Sequence, residues 1–241
     1  MSTYRPFDTC CVACRHVFRV ELARGLQISR QPEAREKILN GTYNVFACPE
    51  CKTATVIETT LVYTDFERLH YIATETPRTA TYQTAKARHQ TLFRNAFESG
   101  PPLVQELAAD VKRRVVFGFR ALREKLVLWE AGLDDRVVEA VKGDLVAETR
   151  EKPSDLVLRI SRVLDGGHLM FAVYPSSPVP PHLAVEEPWQ TTLPAPLDFM
   201  TAPNAHYQRR AAEPSKIGRD FPWLDADWFV DVHDGPSFMY R

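Results

Sequence analysis

Apolar positions are grouped in short alternating runs at both ends of the chain and in helical spacing through its middle. Residues 16–22 carry Val17, Phe18, Val20 and Leu22 and read as a strand. Residues 32–40 read as a short helix, with Pro32 suited to a first helical position and Asn40-Gly41 as its stop. Residues 43–47 and 53–59 read as strands, and 61–66 with 68–74 as a hairpin. A polar link, 76–82, follows.

The spacing then becomes helical. Residues 83–98 place Leu92 and Ala96, with Phe93 and Phe97, on an apolar side, and Gly100-Pro101-Pro102 ends the run. Residues 103–116 repeat Leu103, Leu107 and Val111 at intervals of four. Residues 119–131 set Leu122, Leu126 and Trp129 on one face. Residues 135–147 do the same with Val138, Val141 and Leu145, behind a cap at Asp134 or Asp135. Lys112-Arg113-Arg114 reads as a solvated helix face or a phosphate contact.

Alternation returns in 155–163, where Leu156, Leu158 and Ile160 share a face. Asp165-Gly166-Gly167 is a turn signal, and 168–174 comes back as a second strand. Residues 175–203 hold eight prolines and read as an extended arm. Residues 207–212 suggest a helical piece. The last stretch, 220–241, contains Phe221, Trp223, Trp228, Phe229, Phe238 and Tyr240, with Asp225 or Asp227 available to cap a short helix. So many aromatics argue for a docked tail. It docks on its own core, the simpler reading, or it anchors a partner. The expected class is α+β: an N-terminal β module (1–75), a helical region (76–150), then a β-hairpin with a proline-rich arm and aromatic tail (151–241).

The cysteines add chemistry to this pattern. Of the five, four form two C-x-x-C pairs, Cys11/Cys14 and Cys48/Cys51. Each pair can turn two sulfurs toward one point, and two pairs make a four-thiolate cage for zinc or iron. These pairs make the N-terminal β module, 1–75, zinc-ribbon-like, and four protein ligands leave no open position, so the expected role is structural. Free buried thiols or a redox dithiol would suit a single C-x-x-C better than two. Arg15, His16 and Lys52 lie close in sequence to offset the negative charge. Cys10 is either a buried or free thiol or a substitute ligand for Cys11.

Composition narrows the function. The formal net charge of the 241 residues is −1, so no global field favours nucleic acid or an anionic membrane. Arg5, Arg15, Arg19, Arg24 and Arg30 still make the early segment locally basic. No apolar run reaches the length of a membrane span, the N-terminus lacks an apolar signal core, and an odd cysteine count suits a reducing cytoplasm. Phosphate-loop, nucleophile-elbow and H-E-x-x-H patterns are missing. His70 reads as a strand residue on a polar face or satisfied in the core. The Asp231-Val232-His233-Asp234 run reads equally as a histidine pKa raised by its acidic neighbours or as a surface charge cluster.

Three stretches together resemble the CpXC family of bacterial proteins. They are Cys11-x-x-Cys14, Glu36 to Phe46 followed by Cys48-Pro49-Glu50-Cys51, and Leu61-Val62-Tyr63-Thr64-Asp65. Residues 126–139 resemble the helical region that follows in longer members. The first knuckle departs from the pattern: it is Cys-Val-Ala-Cys, without proline. Arg15 and Lys52 stand where a small residue, usually glycine, often follows such knuckles. The resemblance implies a zinc-binding module and no known reaction. The expected function is therefore a non-enzymatic zinc-binding adaptor acting through a protein partner, with Cys11, Cys14, Cys48 and Cys51 as ligands. The alternatives are a rubredoxin-like iron electron carrier and a zinc-ribbon nucleic-acid-binding protein.

Overall fold

The computed structural model describes residues 3–76, 82–149, 156–175, 189–191, 195–224, 227–228 and 231–233. The chain forms two units, Met1–Phe119 with Pro181–Leu193, and Arg120–Pro180 with Pro194–Arg241.

The first unit starts with two antiparallel strands, β1 (Thr3–Cys10) and β2 (Val17–Gln27). The sequence pattern did not reveal β1, because its first four residues are exposed and it buries little to alternate around. β2 runs five residues past the expected end at Leu22. Its register shifts against Thr3/Tyr4, leaving Arg24 as an extra residue. Beyond the bulge, Gly25–Gln27 pairs in parallel with β5 (Leu61–Asp65). β5 and β6 (His70–Glu75) form the expected antiparallel hairpin. Helix α1 (Pro32–Leu39) lies between β2 and β3 (Val45–Ala47), and β3 pairs with β4 (Ala54–Glu58). Val20, Leu22 and Ile57 bind the two hairpins into one core, flanked by Phe7, Phe18 and Phe46.

The stretch expected to be wholly helical supplies the edge of this sheet. Helix α2 (Tyr82–Phe93) runs into a π-turn, Arg94–Glu98, and α3 (Pro102–Asp110) stops where 103–116 was expected to continue. Residues Lys112–Phe117 are strand β7, parallel to β6, which completes the order β1-β2-β5-β6-β7. The Val-Val-Phe end of β7 is worth more in a buried sheet than in a helix. The apolar faces move accordingly. α2 buries Ala85, His89 and Phe93 and leaves Leu92 exposed, and Leu103 and Leu107 of α3 also face solvent. Lys112-Arg113-Arg114 is not a helix face: Arg114 is buried and the Arg113 guanidinium lies over the Phe93 ring at 5.4 Å.

The second unit is built on the hairpin of helices α4 (Phe119–Glu130) and α5 (Asp135–Glu148). Left-handed Gly132 ends α4, and the Asp134 carboxylate caps α5 by accepting from Arg136 N–H at 2.9 Å. Leu122, Leu126, Trp129, Val138, Val141 and Leu145 are buried as expected. β8 (Leu156–Val163) and β9 (Leu169–Pro175) form the expected hairpin through left-handed Gly166 and Gly167, and β11 (Asp198–Ala202) adds beside β9. Helix α6 (Asn204–Ala211) begins three residues before the expected piece, and α7 (Pro214–Asp220) follows it. Phe221, Trp228 and Val232 are buried, so this part of the tail docks on its own unit. Phe229, Phe238 and Tyr240 lie outside the described residues, as does Asp225, and no helix begins at Asp227.

Candidate metal centre

The two C-x-x-C pairs are the turns of the two hairpins. The first joins β1 to β2 and the second joins β3 to β4. They are built alike. In the first, Cys11 N–H donates to His16 O at 2.8 Å and Arg15 N–H to Cys11 O at 3.0 Å. In the second, Cys48 N–H donates to Thr53 O and Lys52 N–H to Cys48 O, both at 3.0 Å. This turn forces the residue after the second cysteine into the left-handed region: φ is 64° at Arg15 and 61° at Lys52. Glycine is free there, whereas a side chain carries a cost of about 1 kcal/mol.

Because Val20, Leu22 and Ile57 pack the hairpins together, their turns meet. Cys11 Sγ lies 3.5 Å from Cys51 Sγ, and Cys14 Sγ 3.6 Å from Cys48 Sγ. All four sulfurs fall within 4.8 Å of one another. A tetrahedral zinc with bonds near 2.3 Å needs sulfur–sulfur edges of about 3.8 Å, so the donor set fits a tetrahedral ion. Cys11 and Cys48 are buried, while Cys14 and Cys51 reach the surface. Cys10 stands outside the group, with Sγ 3.4 Å from Arg15 O.

The electrostatics call for a cation. The Thr53 hydroxyl lies 3.2 Å from Cys51 Sγ, and this contact, with Thr53 N–H, brings the Cys51 thiol down to about 6. The backbone N–H groups of Cys14 and Ala13 lower Cys11. At Cys14 the His16 N–H pulls downward most strongly, yet desolvation and the neighbouring sulfurs outweigh it and push the thiol up to about 12. Four clustered sulfurs cannot all ionise without a positive ion among them. Lys52 Nζ donates to Pro49 O at 2.6 Å, and the His16 ring stacks near Phe18.

The CpXC protein family profile matches residues 9–142, more than half of the chain. The chain belongs to the CpXC family. No curated protein and no solved structure matches it. The CpXC match takes in both knuckles and ends at Lys142, inside α5. It therefore includes part of a second polar cluster, one that the sequence pattern did not disclose.

That cluster is a chain of buried charges of alternating sign in the second unit. Its order is Asp135, Lys125, Glu139, Lys142, Glu124, Arg159, Asp231, with successive N···O distances of 3.4, 3.0, 2.8, 3.0, 3.4 and 2.7 Å. Glu124, Glu139 and Asp231 lie within 4.8 Å of one another, as metal-binding carboxylates would. The Lys142 ammonium and Arg159 guanidinium already stand among them, so these acids are matched by protein cations. Burial pushes the Glu139 carboxyl up despite Lys125 and Lys142. Burial acts the same way on Asp231, but Arg159 and Lys142 prevail and hold it far below the usual range. The remaining acceptors take backbone donors: Glu139 Oε2 from Val232 N–H at 2.9 Å and Glu124 Oε1 from Ile160 N–H at 3.0 Å. His233 does not have the raised pKa expected from its acidic neighbours. Burial, aided by Lys142, holds it well below the usual value, and its Nε2 accepts Leu158 N–H at 3.0 Å.

A smaller buried group anchors α2 in the first unit. Glu75 is fully buried and accepts from Thr60 Oγ1, Arg88 and His89. Hydrogen bonds from His89 and Arg88 outweigh burial and hold its carboxyl below the usual range. His70, which alternation placed in a strand, is in β6 and buried. Among the described residues no helix is long and apolar enough to cross a membrane.

Proposed function

We propose that this CpXC protein is a non-enzymatic zinc-binding adaptor whose N-terminal module is ordered by one structural zinc and recognises a protein partner. The observation that carries the reading is the convergence of two hairpin turns on four cysteine sulfurs. Four protein donors complete a tetrahedral shell and leave no position for water or substrate, which favours a structural ion over a catalytic one. The small core between the hairpins is what such an ion would complete.

Metal analysis and affinity capture test the two halves of the proposal. The purified chain should carry one zinc and be colourless. A reddish protein with a thiolate-to-iron absorption band would replace zinc by iron and bring forward electron transfer. Tagged full-length protein should retain a stoichiometric protein partner that the Cys48→Ser/Cys51→Ser variant loses. Salt-sensitive retention of nucleic acid alone, or equal capture by the variant, would overturn the adaptor reading.

A further inference from the structure

The ribbon's three-stranded sheet borrows one of its strands. β3 and β4 are neighbours in the chain, joined by the second knuckle. The third strand, β10 (Trp189–Thr191), comes from the proline-rich arm far downstream and lies along the other side of β4. The pairing is antiparallel, Trp189 to Glu58, Gln190 to Ile57 and Thr191 to Val56. β4 is the middle strand, and Thr55, Val56 and Ile57 are buried. Its outer N–H and C=O groups therefore need a strand beside them.

The occupant is short and bounded. Pro188 directly precedes β10 and Pro194 follows three residues after it, and a proline has no N–H to extend a ladder. A brief strand lent by a distant segment to a buried edge is the arrangement by which sheets accept peptides from other chains. Backbone pairing supplies most of the recognition there, so any extended segment of suitable side chains is a competitor. The chain's own segment, Trp-Gln-Thr-Thr-Leu, gives the chemistry: uncharged, proline-free, aromatic and β-branched.

We propose that the outer edge of β4 is a strand-accepting site, filled within the chain by Trp189–Thr191, where the partner binds as an extended, uncharged β-forming peptide that displaces this strand. This deepens the adaptor reading and rests on it for the existence of a partner. Because β10 is tethered, it competes at an effective concentration on the order of millimolar. Free peptides bind weakly to the intact chain as a result.

The test uses full-length, zinc-loaded protein and a fluorescein-labelled synthetic peptide of residues 189–193. The Trp189→Gly/Gln190→Pro/Thr191→Gly variant empties the edge. Its anisotropy titration should give binding at least about tenfold tighter than the wild type, as removal of a tethered competitor requires. Bound peptide should restore slow hydrogen exchange at the amides of Val56 and Glu58, which face this edge, and leave Ile57 unaffected, because its N–H donates to Asn44 O on the other side. A folded variant with one zinc that binds the peptide no better than wild type overturns the proposal. The wild-type chain gives an independent reading should the variant misfold. Millimolar unlabelled peptide should speed exchange at residues 189–191, and unchanged exchange there overturns the proposal too. Dimers that the peptide dissolves would make a second copy the occupant and overturn the partner form. A captured partner that the peptide cannot displace sinks the edge while leaving the adaptor reading intact. Peptide binding with no captured partner does the reverse.

Discussion

Removing one cation from the buried charge chain tests whether its order is what stabilises the second unit. Lys142→Met keeps an unbranched apolar stem, with sulfur in place of Cδ, and removes the ammonium. That ammonium is fully buried, 2.8 Å from Glu139 Oε1 and 3.0 Å from Glu124 Oε1. Breaking a buried pair by removing one partner costs roughly 3–5 kcal/mol. Here Glu139 retains Lys125 at 3.0 Å and Glu124 retains Arg159 and Ile160 N–H, so the low end, about 3 kcal/mol, is expected. With a urea slope of about 2–3 kcal/mol per molar, the midpoint should fall by about 1 M at pH 7. Trp129 and Trp228, both buried in this unit, report the transition by fluorescence. The deficit should depend on pH in a definite sense. Glu139 is already raised by burial, and loss of Lys142 raises it further. A carboxyl raised in the folded state is tolerated below its unfolded pKa and destabilises as pH rises through its folded pKa. The variant should thus approach the wild type in acid and diverge toward neutrality. Lys142→Met/Glu139→Gln, which removes an acid along with its cation, should recover part of the loss. An unchanged or higher midpoint for Lys142→Met at pH 7, with a pH-independent difference, would refute the reasoning.

Four further outcomes can be checked directly. Cys48→Ser removes a buried sulfur of the four, and since structural zinc supplies about 10–16 kcal/mol in small modules, with zinc as the proposed ion the variant should bind no zinc and lose the ordered amides of the ribbon; one zinc per chain with wild-type stability would contradict the site. Gly143→Ala places a Cβ 2.3 Å from Phe221 Cζ, and displacing that ring should cost about 1–3 kcal/mol despite the better helix propensity of alanine, with much less effect in a Phe221→Ala background. Burial holds His70 down to about 4, with Asp65 opposing and Lys112, Arg35 and Arg68 assisting. The unfolded chain therefore binds more protons between about pH 6.5 and 4, and stability should fall by on the order of 2 kcal/mol on acidification through that window, a slope that His70→Gln flattens in denaturation curves. Arg15→Gly relieves the left-handed backbone of the first knuckle and should raise the metal-loaded melting midpoint, by about 0.5–1 kcal/mol of stability.

The sequence alone determined the local features whose cause is local. C-x-x-C spacing marks a turn whatever surrounds it. Gly166-Gly167 supplies the left-handed backbone of the β8–β9 hairpin, and Asp134 caps α5 through its own neighbours. The α4 and α5 faces were legible because each buries a continuous apolar stripe. Tertiary structure decided the rest. Val111 matched the helical repeat of Leu103 and Leu107, but β6 offered its neighbours a buried parallel edge, and sheet pairing outweighed periodicity. The exposed strand β1 left no pattern because its face toward solvent buries nothing. Glu124, Lys125, Glu139 and Lys142 look in sequence like the wet side of two helices. Only the approach of Arg159 on β8 and Asp231 from the tail turns them into an interior chain, because opposite charges are tolerated there only in company. The strand on β4 was equally hidden, since its pairing depends on bringing together residues that nothing in the local sequence connects.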